Sequence, residues 1–332
     1  MTHLENNSIL NDAQYGFRKK RSCETQLLNT VNHLAKSLDD KSQVDTILLD
    51  FSKAFDKVPH QRLLYKLQFY GVRGSTHKWI ADFLYERSQR VVLDGCSSDI
   101  ASVDSGVPQG SVLGPVLFLA YINDLPEYLT NGSNANLFAD DSILYRTISN
   151  TDDARKLQQD LENLQTWEKH WHMEFHPKKC QVLNITNKKK PVKYPYTIHG
   201  HVLDTVKSAK YLGVHIQSQL NWNTHVTKIA NKANATLSFL QRNLRKSPNT
   251  TKELAYKSMV RPILEYSSTV WDPHTQENAS KLERVQRRAA RFVKNEYNQT
   301  ASVTHLLQQL NWPTLQERRA QAKVVYRMTH KA

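Results

Sequence analysis

Leu27, Leu28, Val31, Leu34 and Leu38 recur at three- and four-residue spacing among polar neighbours, so Thr25 to Leu38 reads as an amphipathic helix facing a core. Thr46-Ile47-Leu48-Leu49 is a short apolar strand that ends in Asp50, and Phe51 to Pro59 continues as a turn into a helix. Leu63 to Tyr70 and His77 to Tyr85 read as two helices broken by Gly71-Val72-Arg73-Gly74, with Asp56 as the cap of the helix after it. Arg90 to Asp94 and Ile100 to Asp104 read as a β-pair turning at Gly95-Cys96-Ser97-Ser98. A loop punctuated by Gly and Pro, Ser105 to Pro115, then runs into a strongly apolar helix, Val116 to Leu125, and its glycines permit close approach of backbone to a ligand.

Leu137 to Tyr145 places Asp140 and Asp141 between two short apolar runs, the pattern of a hairpin with carboxylates near its tip. Ala154, Leu157, Leu161, Leu164, Trp167 and Trp171 continue as a helix with acidic residues in its first turn. Lys178 to Leu183 starts a further strand, Lys188 to Pro191 is a basic linker, and Ala209 to Ile216 reads as a strand or hairpin. From about Asn223 the pattern turns wholly helical, with one stripe over Val226 to Leu240 and another over Leu254 to Leu264. A domain boundary is therefore expected near residue 222, dividing the chain into 1–222 and 223–332. Leu282 to Lys294 puts Leu282, Val285, Ala289 and Phe292 on one face and Arg284, Arg287, Arg288, Arg291 and Lys294 on the other.

Charge changes this picture. The 332 residues carry 45 Lys and Arg against 31 Asp and Glu, a net charge of +14, which favours a polyanionic partner, nucleic acid before an anionic membrane. The basic face of Leu282 to Lys294 and the run Arg18-Lys19-Lys20-Arg21 suit a phosphate backbone. Cys23, Cys96 and Cys180 are too few and too scattered for a disulfide framework or a Cys-rich zinc site, so a reducing, intracellular compartment is expected. No window approaches the roughly 20 apolar residues of a membrane span, and no membrane partner is expected.

Two adjacent ionised carboxylates repel and call for a cation or a raised pKa. Asp50, Asp140 and Asp141, each at a strand end, form the oxygen-donor set that Mg²⁺ prefers, with other positions left to water and substrate phosphates. Paired ions of this kind serve in-line displacement at phosphorus, and nucleotidyl transfer fits.

The order Asp50-Phe51-Ser52-Lys53-Ala54-Phe55-Asp56, then Gly106-Val107-Pro108-Gln109-Gly110-Ser111, then Phe138-Ala139-Asp140-Asp141 resembles successive motifs of the reverse transcriptase palm, nearest to that of non-LTR (LINE-type) retrotransposons. Gln14 to Arg18 resembles the opening of that palm, Lys179-Cys180 its lysine motif and Tyr211-Leu212-Gly213 its primer grip. Arg284 to Phe292, Trp312-Pro313 and Arg318-Arg319 are similar to the region downstream of the polymerase in such elements.

The resemblance implies an α+β right-hand polymerase palm with partial fingers, an α-helical thumb and basic C-terminal helices. The implied activity is that of an RNA-directed DNA polymerase working in nucleus or cytoplasm, using an RNA template, a DNA primer, deoxynucleoside triphosphates and two Mg²⁺ ions, with Mn²⁺ as a substitute. By the same resemblance Asp50, Asp140, Asp141 and the Phe51 carbonyl hold metal, and Phe55 stacks under the incoming sugar and disfavours a 2′-hydroxyl. Gln109 and Gly110 meet the incoming nucleotide and template, and Lys179 gives a proton to the departing pyrophosphate. Arg18, Lys19, Tyr211, Leu212, Gly213 and the helix arginines Arg284, Arg287, Arg288 and Arg291 grip nucleic acid. Finger elements that the family carries upstream of Gln14 are missing, so the resemblance implies an N-terminally truncated copy. Two rivals remain open at this point: a catalytically silent nucleic-acid-binding remnant and an intron-maturase-like RNA-binding protein.

Overall fold

Burial along Gln43–Leu49 is nearly continuous, as expected of a strand covered on both faces. In a computed structural model that describes residues 1–329 this strand, β1, lies at the middle of a five-stranded sheet. The chain divides into two units, one from Met1 to Leu212 and one that begins at Gly213. That division falls earlier in the chain than the change in composition near residue 222.

The first unit opens with α1 (Thr2–Asn6) and the longer α2 (Cys23–Asp39), whose start is set by a reciprocal cap between Ser22 and Thr25. After β1 come α3 (His60–Phe69), α4 (Gly74–Leu84) and a narrow ribbon in which β2 (Ser88–Gln89) pairs with β5 (Ala101–Ser102) and β3 (Val92–Leu93) with β4 (Cys96–Ser97). The ribbon turns at Asp94-Gly95, with φ of 48° and 81°, one step before the turn expected from sequence. Asp-Gly is the two-residue loop whose backbone matches the twist of paired strands, and that local preference outweighs the longer loop. α5 (Leu113–Ile122) is apolar all round and buried over Leu117 to Ile122, which places it inside the unit.

β6 (Asn134–Phe138) and β7 (Asp141–Ile148) form the expected hairpin. α6 (Thr151–Trp171) starts at a second reciprocal cap, Asn150 with Asp153, and buries Ala154, Leu157, Leu161, Leu164 and Trp167. β8 (Gln181–Ile185), β9 (Thr197–Ile198), β10 (His201–Val202), β11 (Asp204–Thr205) and β12 (Ser208–Tyr211) complete the unit. The sheet order is β11-β8-β1-β7-β6, antiparallel except where β11 joins β8. Within it, buried Asp45 accepts from Gln43, Asn184 and Tyr196 at 2.7 to 2.8 Å, and burial still raises its pKa.

The register decides where the chemistry falls. Leu49 pairs with Ser142 on β7, and Leu48 with Gln181 on β8. One residue beyond β1, Asp50 therefore stands between Asp141 on one side and the Lys179-Cys180 segment on the other.

The second unit holds β13 (Val214–Gln217) and the helices α7 (Asn223–Asn243), α8 (Asn249–Ala255), α9 (Arg261–Glu265), α10 (Ser268–Trp271), α11 (Gln276–Lys294), α12 (Val303–Gln309) and α13 (Leu315–Thr329). α11 packs on α7, α8, α12 and α13 through Leu282, Val285, Ala289 and Phe292, the face read from spacing. The stripe over Leu254 to Leu264 is not one regular helix: Tyr256–Val260 widens into a π-turn just ahead of Pro262. Proline has no N–H to give the preceding turn, and the ladder loosens there. Among the described residues no helix is long and apolar enough to cross a membrane.

Candidate active site

Asp50 leaves the sheet at the end of β1, and its backbone is fastened from the Glu174 to Cys180 segment. The His176 N–H donates to the Asp50 carbonyl at 2.7 Å, and the Asp50 N–H reaches Cys180 Sγ at 3.5 Å. Burial pushes the Cys180 thiol up to about 11, so it stays neutral beside the carboxylate. Lys179 Nζ lies 3.5 Å from Asp50 Oδ1, with side chains 60% and 44% exposed. An ion pair this open adds little to stability, and the ammonium remains within reach of a substrate.

Asp140 occupies the turn between β6 and β7, directly after Ala139, whose φ is 53°. Burial raises the Asp140 pKa against the pull of a backbone hydrogen bond, and the charge of Asp50 adds to the rise. For Asp141 the upward causes are withdrawal from water, then Asp140, then Asp50, opposed by Lys210. The charge of Asp50 thus acts on both Asp140 and Asp141, and the donor set is hard oxygen throughout. Among the described residues no three His, Cys, Asp or Glu side chains form a ready-made ion cage. An open carboxylate set fits a hard divalent cation that draws its remaining ligands from water and phosphate.

Asp50, Asp141, Lys179 and Lys210 line a recess of about 90 Å³ together with Ser142, Gln181 and Tyr211. Tyr211 is buried, and the Gln26 side chain of α2 donates to its hydroxyl. Leu212 and Gly213 come next at φ of 43° and 83°, and a Cβ at Gly213 would stand 2.9 Å from the Tyr266 ring. Tyr211 thus serves as an anchor inside the fold. Phe51 also turns inward, its ring 4.5 Å from Phe175, so only its backbone is left to contribute chemistry.

A second cleft, about 720 Å³, is lined by Lys53, Asp56, Lys57, Arg87, Gln109 and the loop leading to it. Asp56 does not cap the next helix, which begins after Pro59 without a side-chain cap. Its carboxylate instead accepts from Gln109 Nε2 at 2.9 Å and orients that amide. The next residue, Gly110, has φ of 79° and open space where a Cβ would lie. Phe55 stacks on Phe118 of α5, ring centroids 4.3 Å apart and planes at 19°, which gives the ring a rigid backing.

The basic residues divide. Arg18 is only 10% exposed, pairs with Glu5 at 2.8 Å and donates to the Asn11 carbonyl, so it is committed inside the fold, whereas Lys19 is exposed. On α11, Arg291 donates to the carbonyls of Glu296, Asn298 and Ala301, and Arg288 to Asn234, Ser238 and Gln241. Arg284 is exposed and Arg287 half-buried, and neither enters an ion pair among the described residues. Arg318 pairs with Glu265 and Arg319 with Asp272, both within the second unit. Sequence reading missed Lys210, the Asp56–Gln109 contact and the Phe118 backing. The only signal for Lys210 was its place beside the Tyr211 motif.

Residues 1–216 match the family profile described as reverse transcriptase (RNA-dependent DNA polymerase). Among curated proteins, the chain is 30% identical over 305 residues to the protein named as a probable RNA-directed DNA polymerase from transposon BS of Drosophila melanogaster, covering 86% of this chain and 33% of that protein. It is 29% identical to the RNA-directed DNA polymerase from mobile element jockey of the same species, covering 84% of this chain and 31% of that protein. The chain therefore spans about a third of the length of these relatives. Among solved structures, telomerase from Candida albicans, in complex with a fragment of telomeric RNA, superposes with a TM-score of 0.53 over 98% of this chain and 52% of that one, at 12% identity. That likeness is one of fold, the palm-type α+β arrangement of polymerases.

Proposed function

The chain belongs to the reverse transcriptase family, in the non-LTR (LINE-type) branch that its relatives represent, and from that premise we propose that it carries out RNA-directed DNA synthesis on a primed RNA template. The observation that carries this reading is the strand register: Leu49 pairs with Ser142, which sets Asp50 across from Asp141, the two line one recess, and Asp140 occupies the turn just before Asp141.

In this reading Asp50, Asp140, Asp141 and the Phe51 carbonyl would hold two Mg²⁺ ions, or Mn²⁺ in their place. When bound, the cations neutralise the carboxylates and act as Lewis acids toward the primer hydroxyl and the phosphates. Lys179, beside Asp50, holds a positive charge and a proton where pyrophosphate departs. Phe55, backed by Phe118, sets a wall against a 2′-hydroxyl and selects deoxynucleoside triphosphates. Gln109, oriented by Asp56, and Gly110, with no side chain, leave a contact surface for the incoming nucleotide and the template base. Lys53 and Arg87, beside a Lys57 that pairs with Glu174, give the second cleft cations that attract phosphate. Residues 1–222 would serve as palm and partial fingers and the helices from 223 as thumb and basic tail. The place of work would be inside the cell, in nucleus or cytoplasm.

Extension of a DNA primer on an RNA template by the purified chain, with Asp50→Ala alongside, tests this. Mg²⁺-dependent synthesis by the parent and none by the variant is the expected result. No synthesis by either, with salt-sensitive template binding by both, would replace the polymerase by a silent nucleic-acid-binding relative.

A further inference from the structure

The turn that carries Asp140 is held from outside its own hairpin. β6 and β7 close at the Phe138–Asp141 pair, and Ala139 lies beyond the ladder. Its N–H donates to Oε1 of Gln14 at 3.0 Å, across 125 positions of chain. The same oxygen accepts the Gly16 N–H at 2.8 Å. Gln14 is 1% exposed and Ala139 3%, so loss of this acceptor would leave a buried donor with no water to replace it. Ala139 also has φ of 53°, a conformation that alanine adopts reluctantly and that surrounding contacts must maintain.

The segment bearing Gln14 is fastened in turn. Leu137 N–H donates to Ala13 and Tyr15 N–H to Leu137, both at 2.8 Å, so residues 13–15 extend the edge of β6. Arg21 and Arg18 donate to the Gln14 carbonyl at 2.9 and 3.4 Å, and Glu5 holds Arg18. Gly16 approaches the turn so closely that a Cβ there would stand 2.6 Å from the Ala139 nitrogen.

We propose that Gln14 is a positioning residue for Asp140: through the Ala139 N–H it holds the conformation of the turn that presents Asp140, at the end of the hairpin whose Asp141 faces Asp50. Arg18, expected from sequence to grip nucleic acid, belongs to the support of this brace. The catalytic consequence rests on the polymerase reading; the brace itself does not.

The test uses the full chain with Gln14→Met, which keeps length and removes the acceptor, and Gln14→Glu, which keeps an acceptor. The readouts are hydrogen exchange at the Ala139 amide, binding of Mn²⁺ alone monitored by electron paramagnetic resonance, and kcat and KM for the primed template. In Gln14→Met, exchange at Ala139 rises about tenfold, Mn²⁺ binding weakens by a similar factor, and kcat falls while KM for the primed template is unchanged. Gln14→Glu restores amide protection. Adding Ala139→Gly to Gln14→Met recovers part of kcat, because glycine takes positive φ without support. Should the methionine variant not fold, Gln14→Asn, whose amide is one methylene short of the turn, gives the same exchange reading.

An Ala139 amide that exchanges freely in the parent would overturn the proposal. So would a Gln14→Met protein with unchanged exchange and Mn²⁺ binding, or one whose loss of binding accompanies loss of protection throughout β1 and β7. A parent that protects Ala139 and binds Mn²⁺ but extends no primer would sink the polymerase reading and leave the brace standing.

Discussion

Asp140 bears a charge that the fold resists in the absence of a cation. Its carboxyl binds a proton more readily folded than unfolded, so stability held by the protonated form is lost as pH rises through the window between its ordinary and its raised pKa. Asp140→Asn removes the charge and keeps the shape. The metal-free variant is expected to melt above the parent at pH 7 and to bind template normally, while metal-dependent extension drops below detection. Differential scanning calorimetry, a filter-binding assay and a primer-extension assay check the three in turn. Equal loss of binding and synthesis would instead make Asp140 a structural residue. Gly106 poses the opposite problem. Its φ is 92°, and a Cβ would lie 2.8 Å from the Asp56 Cα and carbonyl. Gly106→Ala should cost about 2 kcal/mol by urea denaturation and displace Gln109 from Asp56.

At the scale of elements, α7 contains a titration that acts on the second unit. His225 is 1% exposed, packs edge-on to Trp271 at 4.8 Å, and accepts the His215 N–H at Nδ1, 3.2 Å away. Burial, then the neighbouring His215, lowers its pKa from 6.5 to about 4. Between those values the unfolded chain binds a proton that the folded chain does not. Its contribution is complete above pH 6.5 and is lost as pH falls toward 4, by about 3 kcal/mol in all. Denaturant titrations from pH 7 to 4.5 should show a shallower fall for His225→Phe than for the parent. A parallel fall in both would mean that other groups dominate. The first unit carries a comparable element-level device in the Asn150–Asp153 cap of α6, whose acidic first turn complements the helix dipole.

For the whole molecule, the net charge of +14 and the nucleic-acid partner proposed above together predict an affinity that falls steeply with salt. Replacing Arg284 and Arg287 together by Gln should lower the slope of log affinity against log salt by about 1 to 2. Replacing Arg291, whose guanidinium holds the Glu296, Asn298 and Ala301 carbonyls, should lower the melting temperature and leave the slope nearly as it was. Binding isotherms over a range of salt concentrations and a melting curve separate the two effects.

Much of this was readable along the chain. The stripes of α2, α6 and α11, the strand ending in Asp50 and the acidic hairpin depend on periodicity and nearest neighbours, which a single sequence displays directly. The motif order was enough to assign the family. Only tertiary structure decided that β1 lies between β7 and β8 and so brings Asp50 to both Asp141 and Lys179, because strand order arises from pairing between distant segments. It also decided that Asp56 orients Gln109 and caps no helix, that Arg18, Arg288 and Arg291 are committed to contacts within the fold, and that Gln14 meets the turn before Asp140. Spacing shows which face of an element a side chain occupies; the partner it meets there is set by the packing of residues far apart in the chain.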